Sequence, residues 1–463
     1  MSAHRETFPA PARTGRPAGR LSLVSAVATG GPVRRRPAVW AVSGDMRRTP
    51  MFEWSESDLM VRDAVRGFID KEVRPNLDAL DSGEMLPYPI LRKLFSDFGI
   101  AALNEESFGK ALAARKAAAQ GGGKSTSSTG GNPLGGQQSM MAVLIGELSG
   151  VCLGMVSAMG VSLGLGAATI MSRGTIAQQE RWVPDIVSLR KIACWAITEP
   201  DSGSDAFGGM KTSVRRDGDD YILNGQKTFI TNGPFADILI VYAKLDEGDG
   251  TPPRDRKVLT FVLEKGMPGL TQGKPFKKMG LHASPTGELF FDNVRLGREH
   301  LLGETEEHSG GDGRESARAS FVAERVGVAF MALGIIEECR RLGIDYARNR
   351  KLWGQEIGKF QLVQLKLAKM EIARINVQNM VFTILERGRA GKPLSLAEAS
   401  AIKLYSSETA TEVAMEAVQL FGGNGYMAEY RVEQLARDAK SLMIYAGSNE
   451  IQVTHVAKGL LGG

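Results

Sequence analysis

The sequence predicts an α+β fold in three parts: an N-terminal helical domain, a small central antiparallel β-domain and a C-terminal four-helix bundle. Two changes of periodicity carry that prediction. Apolar residues recur at helical spacing from Ser55 towards residue 190, at every second position from Lys191 to about 302, and at helical spacing again beyond 303. The third observation is a single long helical stretch, 317–350, whose apolar stripe contains an acid.

Taken in order, residues 1–50 read as a tail. They hold nine Arg, no Lys and only two acids, Glu6 and Asp45, with no sustained apolar period. The composition predicts either disorder or residues upstream of a true start at Met46 or Met51. Were it a mitochondrial transit peptide, the protein would lie in the matrix; otherwise a cytoplasmic location is expected. Domain boundaries are expected at 51–190, 191–302 and 303–463. The first amphipathic helix carries Leu59, Val65, Phe68, Ile69 and Val73 and ends at Pro75. A second begins at Pro89. Residues 107–136, Ala/Lys-rich and then Gly/Ser/Thr-rich, predict a flexible insertion. Its GGGKST resembles the end of a phosphate loop, but Ala118 stands where the first glycine is required and no buried strand leads in. Residues 151–171 carry no charge and equal a membrane span in length, yet the several Gly and the lack of flanking aromatics predict a buried helix of a bundle.

Short strands are expected at 192–197, 212–216, 221–223, 227–230, 238–243, 258–263 and 288–291. Asp217-Gly218 and Asn224-Gly225 predict hairpin turns. Helices follow at 317–349, 360–388, 397–421 and 430–443. In the first, Phe321, Val328, Ala332, Ile335, Cys339, Leu342 and Tyr346 form one stripe over about seven turns. Glu324 lies on it. A carboxylate on a buried face costs several kcal/mol unless paired, protonated or used, so this helix alone allows either a structural ion pair or a catalytic base. Gly327, Gly334 and Gly343 predict a close neighbour along its backbone.

Composition excludes several classes of function. Outside the first 50 residues, 48 basic side chains face 50 acidic ones, which carries no signature of nucleic-acid binding. Cys152, Cys194 and Cys339 are widely spaced, and the five His form no HExxH, so neither a disulfide framework nor a metal site is expected.

The string from Trp195 through Ile197, Thr198, Gly203 and Ser204 to Asp205 offers hydroxyls and backbone amides at a strand end, which suit phosphate and heterocycle edges or merely cap a loop. Together with Asn224-Gly-Gln-Lys-Thr-Phe229-Ile-Thr231, it resembles the flavin-binding signature of the acyl-CoA dehydrogenase family. Arg350-Lys-Leu-Trp353-Gly with Gln361, Gln419-Leu-Phe-Gly422-Gly423, and the segment from Arg437 to Ser448 are also similar. The match runs from Ser55 onward apart from 107–136.

The resemblance implies a three-domain FAD enzyme acting on an acyl-CoA. Thr198 and Thr231 would meet the isoalloxazine ring, with Trp195, Ile197, Gly203 and Phe229 around it and Ser204 at the pyrophosphate. Arg350, Trp353, Gln361, Gln419, Gly422 and Gly423 would reach the adenosine end of a neighbouring subunit's FAD, which implies a homo-oligomer, a dimer of dimers. Ser448 and Glu450 would lie near the cofactor on their own side. Phe321, Arg325, Ser204, Tyr445, Ala446 and Gly447 would line the acyl-CoA site. The implied reaction removes the α-proton and passes the β-hydride to flavin N5, giving a trans-2-enoyl thioester, with an electron-transfer flavoprotein as acceptor. An oxidase or desulfinase would share the fold.

Many family members carry the base between Tyr and Gly, where this chain has Ala446. A minority, of the isovaleryl-CoA and long-chain type, carry it just before the arginine of the central helix, which here is Glu324. The resemblance therefore selects Glu324 as the base. Val322 stands where an Asp often helps to bind pantetheine, and Phe229 where many members have Trp.

Overall fold

A computed structural model of the chain describes residues 53–120, 138–308 and 311–462. The tail expected at 1–50 and the GGGKST string lie outside them. Helix α1 (Glu56–Phe68) starts on a capping box in which Ser55 and Asp58 satisfy each other's backbone amides. Pro75 ends it through a π turn (Ile69–Val73) and a 3₁₀ turn (Arg74–Asn76). Then come α2 (Leu77–Ser82), α3 (Tyr88–Asp97) and α4 (Ile100–Gln120).

Helix α4 corrects the expected insertion, because residues 107–120 are helical. Phe108 and Leu112, one turn apart, are buried in a cluster with Trp182, Val183 and Ile186. Asn104 donates to the Val187 carbonyl at 3.0 Å. The Ala/Lys composition that suggested a linker consists of strong helix formers, and two apolar anchors suffice to dock them. Residues 121–137 lie outside the described part.

The uncharged run at 151–171 is helical but not one regular helix. Helix α5 (Gln138–Gly160) kinks at Cys152, whose φ is −149° and ψ 83°, and passes through a π segment (Val161–Ala167) into α6 (Ala168–Arg173). Residues 138–173 and 313–349 are both long and apolar enough to cross a membrane; in the first, 67% of the most apolar window is buried within the fold. Helix α7 (Ile176–Val187) leads into the sheet.

The sheet comprises β1 (Ala193–Ala196), β2 (Ser213–Asp217), β3 (Asp220–Thr231), β4 (Ile238–Leu245), β5 (Val258–Glu264), β6 (Leu270–Gln272) and β7 (Thr286–Leu296). Its hairpins are antiparallel as expected. Strands β1 and β2, however, share one side of β4 in parallel register, Ala193 opposite Ile238 and Ser213 opposite Lys244. Asp217-Gly218 makes the expected turn between β2 and β3, with Gly218 at φ +65°. Asn224-Gly225 does not. It is a bulge inside one continuous strand, with the register slipping between Leu223 and Gly225. Gly225 has φ +142°, and a Cβ there would lie 2.6 Å from the Thr212 hydroxyl, so the glycine serves a close approach rather than a reversal.

The C-terminal part holds α8 (Gly313–Asn349), a small hairpin of β8 (Lys351–Leu352) and β9 (Gln355–Glu356), then α9 (Gln361–Arg389), α10 (Leu396–Phe421), α11 (Val432–Ser441) and α12 (Asn449–Leu461), the last not foreseen. Helix α8 packs on α9 and α10 of the bundle and on α5 of the N-terminal domain. Of the three glycines expected to have a close neighbour, Gly327, Gly334 and Gly343, only Gly334 meets one. A Cβ on it would sit 2.0 Å from the Gly146 carbonyl oxygen, whereas Gly327 faces nothing within 4 Å and Gly343 only ordinary contacts.

Candidate active site

The stripe on α8 is buried as its spacing predicts: Val328, Ala332, Ile335 and Cys339 are all at most 1% exposed. Glu324 continues that face one turn before Val328, where part of its surface stays accessible. No hydrogen bond or ion pair to its carboxylate is formed among the described residues. The protein around it strips away hydration, and burial pushes its pKa up to about 7 against the pull of Arg325 and Lys403. A carboxylate that is reachable, desolvated and unpaired is suited to take a proton near neutral pH.

Phe321, one turn earlier, joins this end of α8 to the sheet. Its ring lies 6.4 Å from Trp195, edge to face, and the Arg325 guanidinium is 5.5 Å from its centroid. Trp195 is held by its own indole N–H, 3.2 Å from the Tyr242 hydroxyl. Arg325 is 2% exposed, and its Nε and Nη1 have no hydrogen-bond partner among the described residues. Buried cationic donors left open in this way call for an acceptor from outside the chain.

The third wall is the loop between α11 and α12. Ala446 has φ +58° and Gly447 φ +78°, so two consecutive residues are left-handed. A Cβ on Gly447 would lie 3.6 Å from Arg325 Nη2, which places the loop against Glu324's neighbour. Tyr445 reaches Met331 of α8 through its hydroxyl at 3.4 Å. Gln452 donates to the carbonyls of Ala446 and Gly447 at 3.0 and 2.7 Å, and Lys403 of α10 donates to Gly447 at 2.8 Å.

Around the sheet end, Thr198 follows β1 and its carbonyl accepts from Thr228 N of β3 at 2.9 Å, which brings Thr198 beside the strand that carries Phe229 and Thr231. Ile197 is buried, whereas Gly203 and Ser204 are exposed. Phe229 is 67% exposed and sits at φ +57°. A bulky residue held in the left-handed region costs about 1–3 kcal/mol. The loop after Thr198 is tied down by Glu199, which accepts from Lys211 N at 2.6 Å, Thr212 N at 3.0 Å and the buried Lys227 ammonium at 2.8 Å. The hydroxyls of Thr198, Ser204 and Thr231 form no hydrogen bond among the described residues. This set fits a flavin: polar groups awaiting partners, an exposed aromatic, and a loop fixed from beneath.

The residues expected at a neighbouring subunit's cofactor lie elsewhere. Arg350 ends α8, about 39 Å along the helix from Glu324. Trp353 on the β8–β9 hairpin is 88% exposed at φ +50°. Tyr346 stacks on Phe421 at 4.0 Å and accepts from Asn424 at 3.0 Å, which holds the Gly422-Gly423 turn beside the same end of α8. Arg350, Trp353, Gln361, Gln419, Gly422 and Gly423 are all exposed. Ser448 and Glu450 lie at the start of α12, on the Glu324 side.

Sequence reasoning missed Lys403, Glu199, Lys227 and Gln452. For Lys403 the signal was present: Ala399, Lys403, Ser406, Ala410, Val413, Ala417 and Leu420 form a helical stripe, all but fully buried. It is the argument that found Glu324, with the opposite charge.

The comparisons with known proteins agree along the chain. Residues 100–190, 194–294 and 311–461 match the N-terminal, middle and C-terminal domain models of acyl-CoA dehydrogenase. An acyl-CoA dehydrogenase of Bacillus subtilis (strain 168) is 32% identical over 409 residues, 88% of this chain and 99% of its own. The structure of butyryl-CoA dehydrogenase from Megasphaera elsdenii superposes with a TM-score of 0.75 at 32% identity, covering 89% of this chain and 100% of that one. A glutaryl-CoA dehydrogenase from Mycobacterium smegmatis in complex with FADH2 does so with a TM-score of 0.73 at 27% identity, over 89% and 96%. Three successive domain models in the right order, relatives matched over nearly their whole length and one shared architecture leave a single conclusion: the chain belongs to the acyl-CoA dehydrogenase family.

Proposed function

We propose that this protein is an oxidoreductase acting on CH–CH bonds that dehydrogenates an acyl-CoA thioester to the trans-2-enoyl-CoA, with Glu324 as the base that removes the α-proton. The observation that carries the reading is the Glu324 carboxylate itself, unpaired and desolvated at the junction of α8, β1 and the 445–447 loop, where Ala446 can take no proton. Its pKa of about 7 leaves an ionised fraction at neutral pH while keeping it basic enough to compete for a carbon-bound proton. The open donors of Arg325 suit an anionic or carbonyl oxygen of the substrate.

FAD, when bound, supplies the hydride acceptor. Thr198, Thr231, Ser204 and Phe229 would hold its ring and pyrophosphate, and the Glu199–Lys227 pair would keep that loop in place. Arg350, Trp353, Gln361 and the Gln419–Gly423 turn are too far along α8 to serve the same cofactor molecule and would grip a neighbouring subunit's, making the protein a homo-oligomer. Support comes from the exposed apolar row on α9: Leu362, Leu365, Ile372 and Ile375 are 44–77% exposed. Electrons would leave to an electron-transfer flavoprotein.

The test is anaerobic mixing of the yellow protein with a panel from butyryl- to palmitoyl-CoA plus isovaleryl- and isobutyryl-CoA. Bleaching with one of them, lost in Glu324→Gln while FAD content holds, is the expected result. Peroxide formed in air at the rate of turnover would instead mark an oxidase. Near-native turnover by Glu324→Gln would remove Glu324 as the base.

A further inference from the structure

Lys403 is 0% exposed, yet no carboxylate lies within salt-bridge range of it among the described residues. Its ammonium donates instead to two neutral acceptors, the Gly447 carbonyl and Asn449 Oδ1, both at 2.8 Å. Asn449 is held in turn by Ser407 of α10 at 3.1 Å, and its own N–H caps back onto the Met443 carbonyl at 3.0 Å. A buried cation bonded only to neutral groups is expensive to fold, and an apolar side chain would fill the space more cheaply. Its position gives the reason for keeping it. It lies beneath the left-handed residues Ala446 and Gly447, and Gly447 rests against Arg325.

We propose that Lys403 is a positioning residue of the active site, which fixes the 445–449 loop beneath the substrate and sets a buried positive charge behind Gly447 and Arg325, on the Glu324 side. The inference deepens the reading of Glu324 as the base and rests on it. The charged and titratable groups around the two are few. Arg325 adjoins Glu324 on α8, Tyr445 faces it from the loop, and Glu408 of α10 and Glu450 of α12 act on Lys403 from the other side. Burial holds the ammonium down at about 8, and Glu324 is the largest influence opposing that. By the same interaction Lys403 draws the Glu324 pKa downward, against a desolvation that drives it up.

The sign follows. A base must be deprotonated, so activity rises with pH through the Glu324 pKa, and removing a cation that favours the carboxylate moves that rise to higher pH. Lys403→Met, which deletes charge and donors at similar length, should shift the acid limb of kcat/KM upward by about one pH unit. It should also cut kcat by about 10- to 100-fold through loss of loop position. Lys403→Gln keeps a donor without the charge and decides the question if the Met variant fails to hold FAD: it should show the same pH shift with a smaller fall in kcat. Glu324→Gln is measured alongside. An inactive Glu324→Gln enzyme together with Lys403 variants whose acid limb is unmoved overturns the role of Lys403 alone. Near-native turnover by Glu324→Gln overturns the base and this inference together.

Discussion

Glu324→Gln should make the protein more stable, and increasingly so as pH rises. Burial lifts this carboxyl from an ordinary value of 4.5 to about 7 in the folded chain. A raised carboxylate pKa means that the folded state binds the proton more tightly than the unfolded state. Stability is therefore fully retained below the unfolded value and declines as pH rises through the window to about 7. Above it the whole penalty applies, about 3 kcal/mol at roughly 1.4 kcal/mol per unit of pKa. Glutamine carries no such penalty. With an unfolding entropy of about 2.1 cal/mol/K per residue over roughly 400 residues, 3 kcal/mol corresponds to about 4 °C in Tm. The variant should thus melt about 4 °C above the wild type at pH 8.5 and only about 1 °C above it at pH 5. Scanning calorimetry at one scan rate across that range measures the difference. A Tm difference that does not change with pH would show that Glu324 is solvated or paired, and the argument for a poised base would fall with it.

Other outcomes follow from the same geometry. Arg350→Ala should weaken FAD retention by about 10- to 100-fold, the worth of a charge-assisted bond, read from the flavin left after gel filtration; unchanged retention would remove Arg350 from the cofactor site. Gly334→Ala places a methyl 2.0 Å from the Gly146 carbonyl oxygen, so α5 and α8 must separate at a cost of at least about 1–3 kcal/mol, and the Tm should fall measurably. The paired change Glu324→Gly with Ala446→Glu should restore part of the activity lost in Glu324→Gly, because the 445–447 loop adjoins the same end of α8. Incomplete recovery is expected, since a displacement of about 1 Å costs about 100-fold, and no recovery in steady-state assays would place the two positions on different substrate atoms.

What the sequence made legible was whatever repeats along one element. The stripe on α8 put Glu324 on the face that continues the buried core, because burial on a helix is a local, periodic property. The strands of the β-domain emerged for the same reason. What stayed hidden depends on partners distant in the chain. Asn224-Gly225 carries the chemistry of a hairpin turn, but Thr212 passes so close that only glycine fits there, and the strand runs on. The parallel seat of β1 and β2 on β4 follows from the loop after Thr198, which carries the chain from β1 at one end of β4 to β2 at the other, and no alternation of side chains encodes it. Residues 107–120 read as a linker because alanine and lysine have no strong period, while Phe108 and Leu112 settle the matter once Trp182 is beside them. Lys403 was overlooked although its stripe is as regular as that of Glu324, since a lysine among alanines and serines is easily read as a solvated face.

The continuity of α8 has a consequence for populations of unlike subunits. Its 37 residues form one rod, about 55 Å long, with the proposed base near one end and Arg350 at the other. If each end serves a different cofactor, a subunit with a dead base still lends its partner a sound Arg350. Glu324→Gln subunits alone and Arg350→Ala subunits alone should both be impaired. Unfolded together and reassembled, each mixed pair would combine the intact base of one chain with the intact arginine of the other at a single site, and activity should reappear from two defective parents. Were both residues to act on one cofactor within one chain, no mixture could recover it.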